Sequence, residues 1–150
     1  MNSANQMEYM DRPADVRQGE ELAADPIESY LMGVISGLEG PVQIRQYPGG
    51  ASNLTYLLSF ANRQLVLRRP PFGTKAATAH DMGREYRVLS ALSQHWPYAP
   101  RPLVYCRDEA VIGASFYVME HLQGIIIRKD IPEGLFTTPK QVSRLYEKFV

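Results

Sequence analysis

Apolar residues recur along this chain with two different periods, one helical and one extended. From Asp25 onward, "DPIESYLMGVISGLEG" places Ile27, Tyr30, Leu31, Val34, Ile35 and Leu38 at i, i+3, i+4 spacing, which gives one apolar face. Asp25 suits the N-cap, Pro26 the first helical position, Glu28 a capping box and Gly40 the stop, so a helix is predicted over 26–39. A second helix is predicted over 79–96, "AHDMGREYRVLSALSQHW", with Met82, Tyr86, Leu89 and Leu92 as its stripe. Gly83 weakens it locally, and Pro97, Pro100 and Pro102 end it. A third helix starts near the end, with Thr138 as N-cap, Pro139 first inside and Gln141 closing the box.

Between these lie shorter β-rich runs: "VQIRQY" (42–47), "NLTYLLSF" (53–60) and "QLVLRR" (64–69), the last two joined by the turn "ANR". Three consecutive short strands imply an antiparallel meander. Pro70, Pro71 and Gly73 break the pattern before an exposed loop, "GTKAAT". Two further strands, "LVYC" (103–106) and "SFYVME" (115–120), flank the turn-prone "RDEAVIG", and "QGIIIRKD" (123–130) reads as a linker or short strand. Residues 1–24 are polar and aperiodic and read as a mobile tail. The order of elements, with no internal repeat, is that of an α+β domain.

Composition narrows the function classes. The chain has 150 residues, 45% of them hydrophobic, which suits one domain with a modest core. Sixteen Lys and Arg balance sixteen Asp and Glu, so no overall field draws it to nucleic acid or an anionic membrane. Arg101, Arg107, Arg128 and Lys129 are scattered rather than clustered. No leading apolar segment resembles a signal peptide, and no run nears the ~18 apolar residues of a membrane span, so a cytoplasmic location is expected. Cys106, the single cysteine, fits a reducing compartment and a buried strand position. His80, His95 and His121 lack metal-ligand spacing, so no metal site is expected from this chain.

The candidate chemistry begins at "YPGGASNLTYLL". Gly49 and Gly50 let backbone N–H groups approach an anion, and Ser52 and Asn53 add short donors, although glycine turns between strands commonly bind nothing. Strand alternation puts Val66 and Arg68 on one face, with Leu65, Leu67 and Arg69 on the other. Paired cations at a strand end also occur where the strand simply enters solvent. Glu85, beside the apolar stripe of the second helix, needs a cation if desolvated. Arg68 is one candidate; Arg84, Arg87 and solvent are the others.

Taken together, "GGASNLTYLL", "LVLRRPPFG", "AHDMGREYRVLSAL" and "PRPLVYCRDEAVIGASFYVMEHLQG" resemble the N-terminal lobe of a protein-kinase-like phosphotransferase. The likeness covers about residues 25–150 and is to the aminoglycoside phosphotransferase and choline kinase-like family, in the branch found fused to acyl-CoA dehydrogenases. The resemblance implies an antiparallel sheet of about five strands with the 79–96 helix on one face. It implies an N-terminal lobe over 25–122, then an inter-lobe linker and the first C-terminal-lobe helix over 123–150.

The resemblance also implies roles. Gly49, Gly50, Ser52 and Asn53 would cover the phosphates of ATP, and Arg68 would stand where kinases place a lysine against the α- and β-phosphates, held by Glu85. Val66 would line the adenine pocket, and backbone groups of Glu120 and Leu122, in the segment "MEHL", would bind the adenine edge. Arg68 and Glu85 should then come within salt-bridge reach, about 4 Å, while Arg69 points away and is the more exposed. The implied reaction is magnesium-dependent phosphoryl transfer from ATP to a small-molecule hydroxyl. No catalytic residue is expected here: His80-Asp81 lies on the wrong segment, and five residues past Asp81 stands Tyr86 rather than asparagine. The expectation is therefore a chain truncated before its catalytic loop and inactive alone, its magnesium ligands in the absent lobe, and open to association through the exposed inter-lobe face. The competing readings are a non-catalytic nucleotide-binding or interaction module, and a gene fragment without independent function.

Overall fold

The computed structural model describes residues 11–49, 52–73, 81–124 and 138–147. The chain divides into two compact units, Arg12–Leu122 and Met1–Asp11 with Gln123–Val150. The first unit contains α1 (Ala24–Val34), β1 (Gln43–Gln46), β2 (Leu54–Ser59), β3 (Gln64–Arg69), α2 (Met82–His95), β4 (Pro102–Cys106) and β5 (Phe116–Glu120). The second contains α3 (Pro139–Tyr146), where Gln141 N–H donates to Thr138 Oγ1 and Thr138 N–H to Gln141 Oε1, the reciprocal pair that the sequence implies. No helix among the described residues is long and apolar enough to cross a membrane.

The five strands form one antiparallel sheet in the order β1-β2-β3-β5-β4. Its two faces follow from alternation. Leu54, Tyr56 and Leu58 of β2, Leu65 and Leu67 of β3, and Phe116 and Val118 of β5 form a core with Ile27 and Leu31 of α1. Each of these large side chains contributes about 1.5–3 kcal/mol by leaving water. On the other face α2 packs by stacking Tyr86 on Tyr105 and setting it edge-on to Tyr117. Gly83 is explained here: a Cβ at that position would stand 3.0 Å from the Tyr105 hydroxyl.

Three expectations are corrected. The first helix runs over Ala24–Val34, not 26–39, and Ala23 caps it without a side-chain bond. Glu28 does not close a capping box; its Oε2 accepts the Val42 N–H at 2.6 Å. Gly40 is not the helix stop but the space for that carboxylate, since a Cβ there would lie 2.6 Å from Glu28 Oε1. The turn is made earlier, at Gly37, with φ of +77°. Leu38 reaches the core from beyond the helix while Val34 is exposed, because the chain returning to β1, and not the helix, carries Leu38 inward.

Residues 14–22, read from sequence as part of a mobile tail, contact β1 and β2. Ala14 bridges Gln46, Arg17 N–H donates to Gln46 Oε1, Gln46 Nε2 donates to Glu20, and the Tyr56 hydroxyl donates to the Glu20 carbonyl. These bonds satisfy the Gln46 end of an edge strand and a buried amide, neither of which leaves a periodic trace in sequence.

Candidate functional site

The site forms on the α2 face of the sheet. In register, Arg68 lies between Thr55 of β2 and Tyr117 of β5, and Val66 between Leu57 and Met119. Val66 and Arg68 therefore share a face, as alternation requires. Asp81 caps α2 by accepting the Arg84 N–H at 2.9 Å, which fixes where the first turn begins and puts Glu85 over the sheet.

Glu85 is the hub. Its Oε1 accepts Asn53 Nδ2 at 2.6 Å and its Oε2 accepts the Tyr117 hydroxyl at 3.0 Å. Arg68 Nε stands 3.5 Å from Oε2. Among the described residues that Nε is a buried donor with no hydrogen bond. The Arg68 and Glu85 side chains are 31% and 34% exposed, so the pair is neither deeply buried nor fully solvated. Burial is the main force pushing the Tyr117 hydroxyl pKa up, and the Glu85 charge adds to it while Arg68 opposes. The phenol therefore stays a donor at any ordinary pH.

The adjacent arginine differs from expectation. Arg69 points to the opposite face, as the strand phase requires, but it is only 2% exposed and is the more buried of the two. Its guanidinium lies 3.6 Å from the centre of the Phe72 ring, Nη1 donates to the Ile112 carbonyl and Nε to the Pro70 carbonyl. A flat, weakly hydrated cation with an aromatic ring on its face and carbonyls at its edge tolerates such a position. Desolvation lowers its pKa.

Beside Arg68 and Glu85 opens a groove of about 460 Å³, lined also by Arg84, Leu89, Leu92, Tyr117 and Met119. It sets two cations and the carboxylates of Asp81 and Glu85 beside an apolar floor, a mixture suited to a ligand with a charged and a flat part. Ser52 is exposed and Gly49 half-buried near the start of β2, and Gly50 lies outside the described residues. Asn53, expected to cover phosphate, is instead 3% exposed with its amide turned to Glu85.

At the end of β5, Glu120 turns its carboxylate to Arg101, accepting Nη2 at 2.8 Å and the backbone N–H at 3.2 Å. Its own N–H donates to the Arg101 carbonyl, and Arg63 Nη2 stands 4.0 Å away. Tyr47 Oη and His121 Nε2 lie 3.0 Å apart, which ties the segment before the glycines to the segment after β5. Leu122 is exposed. Sequence reasoning did not single out Tyr117, Arg101 or Tyr47. Tyr117 shares the period-two face of Met119, but only the β3–β5 pairing shows that this face meets Arg68.

The model of the phosphotransferase enzyme family matches residues 43–150. Acyl-CoA dehydrogenase family member 10 of Mus musculus is 39% identical over 121 residues, covering 80% of this chain and 11% of that protein. Acyl-CoA dehydrogenase family member 11 of Homo sapiens is 37% identical over 137 residues, covering 89% of this chain and 17% of that protein. A solved Ralstonia eutropha protein assigned to the aminoglycoside phosphotransferases superposes with a TM-score of 0.69 at 26% identity, over 85% of this chain and 35% of its own. The chain thus spans less than a fifth of the length of these curated relatives.

Proposed function

The chain belongs to the phosphotransferase enzyme family, and from that membership we propose that residues 12–122 form the nucleotide-binding part of an ATP-dependent phosphotransferase acting on a small-molecule hydroxyl. The observation that supports this best is the meeting of Arg68 with Glu85 at 3.5 Å beside a groove. Seventeen positions separate them in sequence, so no helix or turn geometry brings them together.

In this reading Arg68 contacts the α- and β-phosphates and Glu85 orients it, while Gly49, Gly50 and Ser52 lie over the phosphates. Val66 and the backbone groups of Glu120 and Leu122 take the adenine. A guanidinium offers a planar fork to phosphate oxygens, a geometry that a lysine does not share. Magnesium, which the family implies, fits less well: no three His, Cys, Asp or Glu side chains converge among the described residues. Its carboxylates would have to come from elsewhere.

These 150 residues contain one His-Asp pair, His80-Asp81, without an asparagine five positions on. Binding without turnover is therefore the expected behaviour of residues 1–150, since positioning and charge stabilisation supply nearly all of phosphoryl-transfer catalysis. Calorimetric titration with MgATP should show weak binding that Arg68→Ala removes; an unaltered chain that takes up no nucleotide would overturn the reading. Magnesium-dependent phosphorylation of a small hydroxyl compound by residues 1–150, abolished by Arg68→Ala, would overturn the absence of turnover. The exposed Val88 and Leu92 beside the groove favour a second reading, association with another polypeptide surface. Sedimentation that shows a monomer at every concentration would exclude self-association.

A further inference from the structure

We infer that Asn53 and Tyr117, and not Arg68, hold Glu85 and with it α2 in place, so that Arg68 is free to engage an anion without releasing the helix. Distances separate the two kinds of contact. Asn53 Nδ2 and the Tyr117 hydroxyl reach the carboxylate at 2.6 and 3.0 Å, within hydrogen-bond range. Arg68 Nε stands at 3.5 Å and is not hydrogen-bonded to it. An ion pair about one-third exposed is screened by solvent and adds little anchoring.

The two neutral donors come from different elements. Asn53 lies just before β2, at the end of the glycine segment, and Tyr117 lies within β5. Each carboxylate oxygen is taken by one of them. Glu85 therefore ties α2 to both sides of β3, and the tie does not depend on the cation between them. A single lysine nitrogen would have to serve carboxylate and anion at once. With the carboxylate already satisfied, an arginine can face it with Nε while its Nη edge serves an anion. The anchoring stands on the geometry alone; the anion's being a nucleotide phosphate rests on the proposed function above.

Asn53 and Tyr117 are thus positioning residues that act through Glu85. Amide hydrogen exchange of α2 in the ligand-free chain tests this. Arg68→Ala should leave the α2 rates within about twofold, whereas Tyr117→Phe and Asn53→Ala should each raise them about fivefold, the effect of losing one hydrogen bond. In a Glu85→Ala background neither substitution should add anything, a coupling that a merely structural role would not produce. In MgATP titrations the two variants should weaken binding a few-fold and Arg68→Ala should abolish it. Acceleration by Arg68→Ala equal to that by Tyr117→Phe, or full additivity with Glu85→Ala, would overturn the inference. Exchange is read without nucleotide, so failure of the unaltered chain to bind MgATP counts against the proposed function, and the exchange rates alone then decide the anchoring.

Discussion

Two adjacent arginines at the end of β3 meet opposite environments, and the difference is measurable. Arg69 is buried with its face on the Phe72 ring and its N–H groups on two carbonyls, so Arg69→Ala removes a ring contact and leaves two part-buried acceptors unmet. A loss of about 2–4 kcal/mol is expected in urea unfolding. Arg68→Ala should cost about 0.5 kcal/mol or less, because its ion pair is part-exposed and Nε makes no hydrogen bond. Equal losses would mean that the two faces are not distinguished as described. Alternation in "QLVLRR" made the facing of both residues legible. It could not show that Phe72 and the Ile112 carbonyl close over Arg69, since those contacts depend on the loops after β3 and between β4 and β5. Asn53 and Glu85 were both legible as polar residues near the site, but their partnership was not, because it joins the segment before β2 to a helix 32 positions away.

Among the elements, the strands were legible from their β-rich composition and α2 from its apolar stripe, whereas α1 was misjudged at both ends. Its caps looked complete in sequence, yet Glu28 is engaged by Val42, a partner that appears only when the chain turns back into β1. Gly40→Ala tests that account. The added methyl would collide with Glu28 Oε1 at 2.6 Å, so the carboxylate must leave the Val42 N–H, at a cost of about 1–3 kcal/mol. In a Glu28→Ala background the same change should be nearly neutral, and thermal melts of the four proteins decide the point. Residues 14–22 left no period to read because they bind through one bridge and side-chain bonds. Gln46→Ala should make their worth visible: it leaves Arg17 N–H and Glu20 without their buried amide partner. Amide exchange along β1 should quicken, with stability falling by about 1–3 kcal/mol. Unchanged exchange would reduce the segment to a passive covering.

At the scale of the whole molecule, element order and the antiparallel run of β1, β2 and β3 followed from the sequence, because those strands are joined directly, whereas the β3–β5 pairing across α2 did not. The groove did not, because it depends on how α2 crosses the far face of the sheet. Stability of the whole unit should carry one pH signature from the segment that follows β5. Burial lowers the pKa of His121 from its ordinary 6.5, so the folded chain keeps it neutral where the unfolded chain is already protonated. Below pH 6.5 the unfolded state binds more protons, and linkage then makes stability fall as pH falls, until the folded-state imidazole is itself protonated. Glu20 acts in a lower window. Its pKa is lowered from 4.5 chiefly by the Gln46 amide, so its contribution is complete above 4.5 and is lost only as pH drops further. Between pH 7 and 5.5 the decline should therefore belong to His121 and not to Glu20. Urea unfolding across that interval should show the slope in the unaltered chain and a flatter profile in His121→Gln, with Gln46→Ala shifting the whole curve but not its slope there. A slope that survives His121→Gln would assign the titration to another group and remove His121 from the account of how the segment after β5 is held.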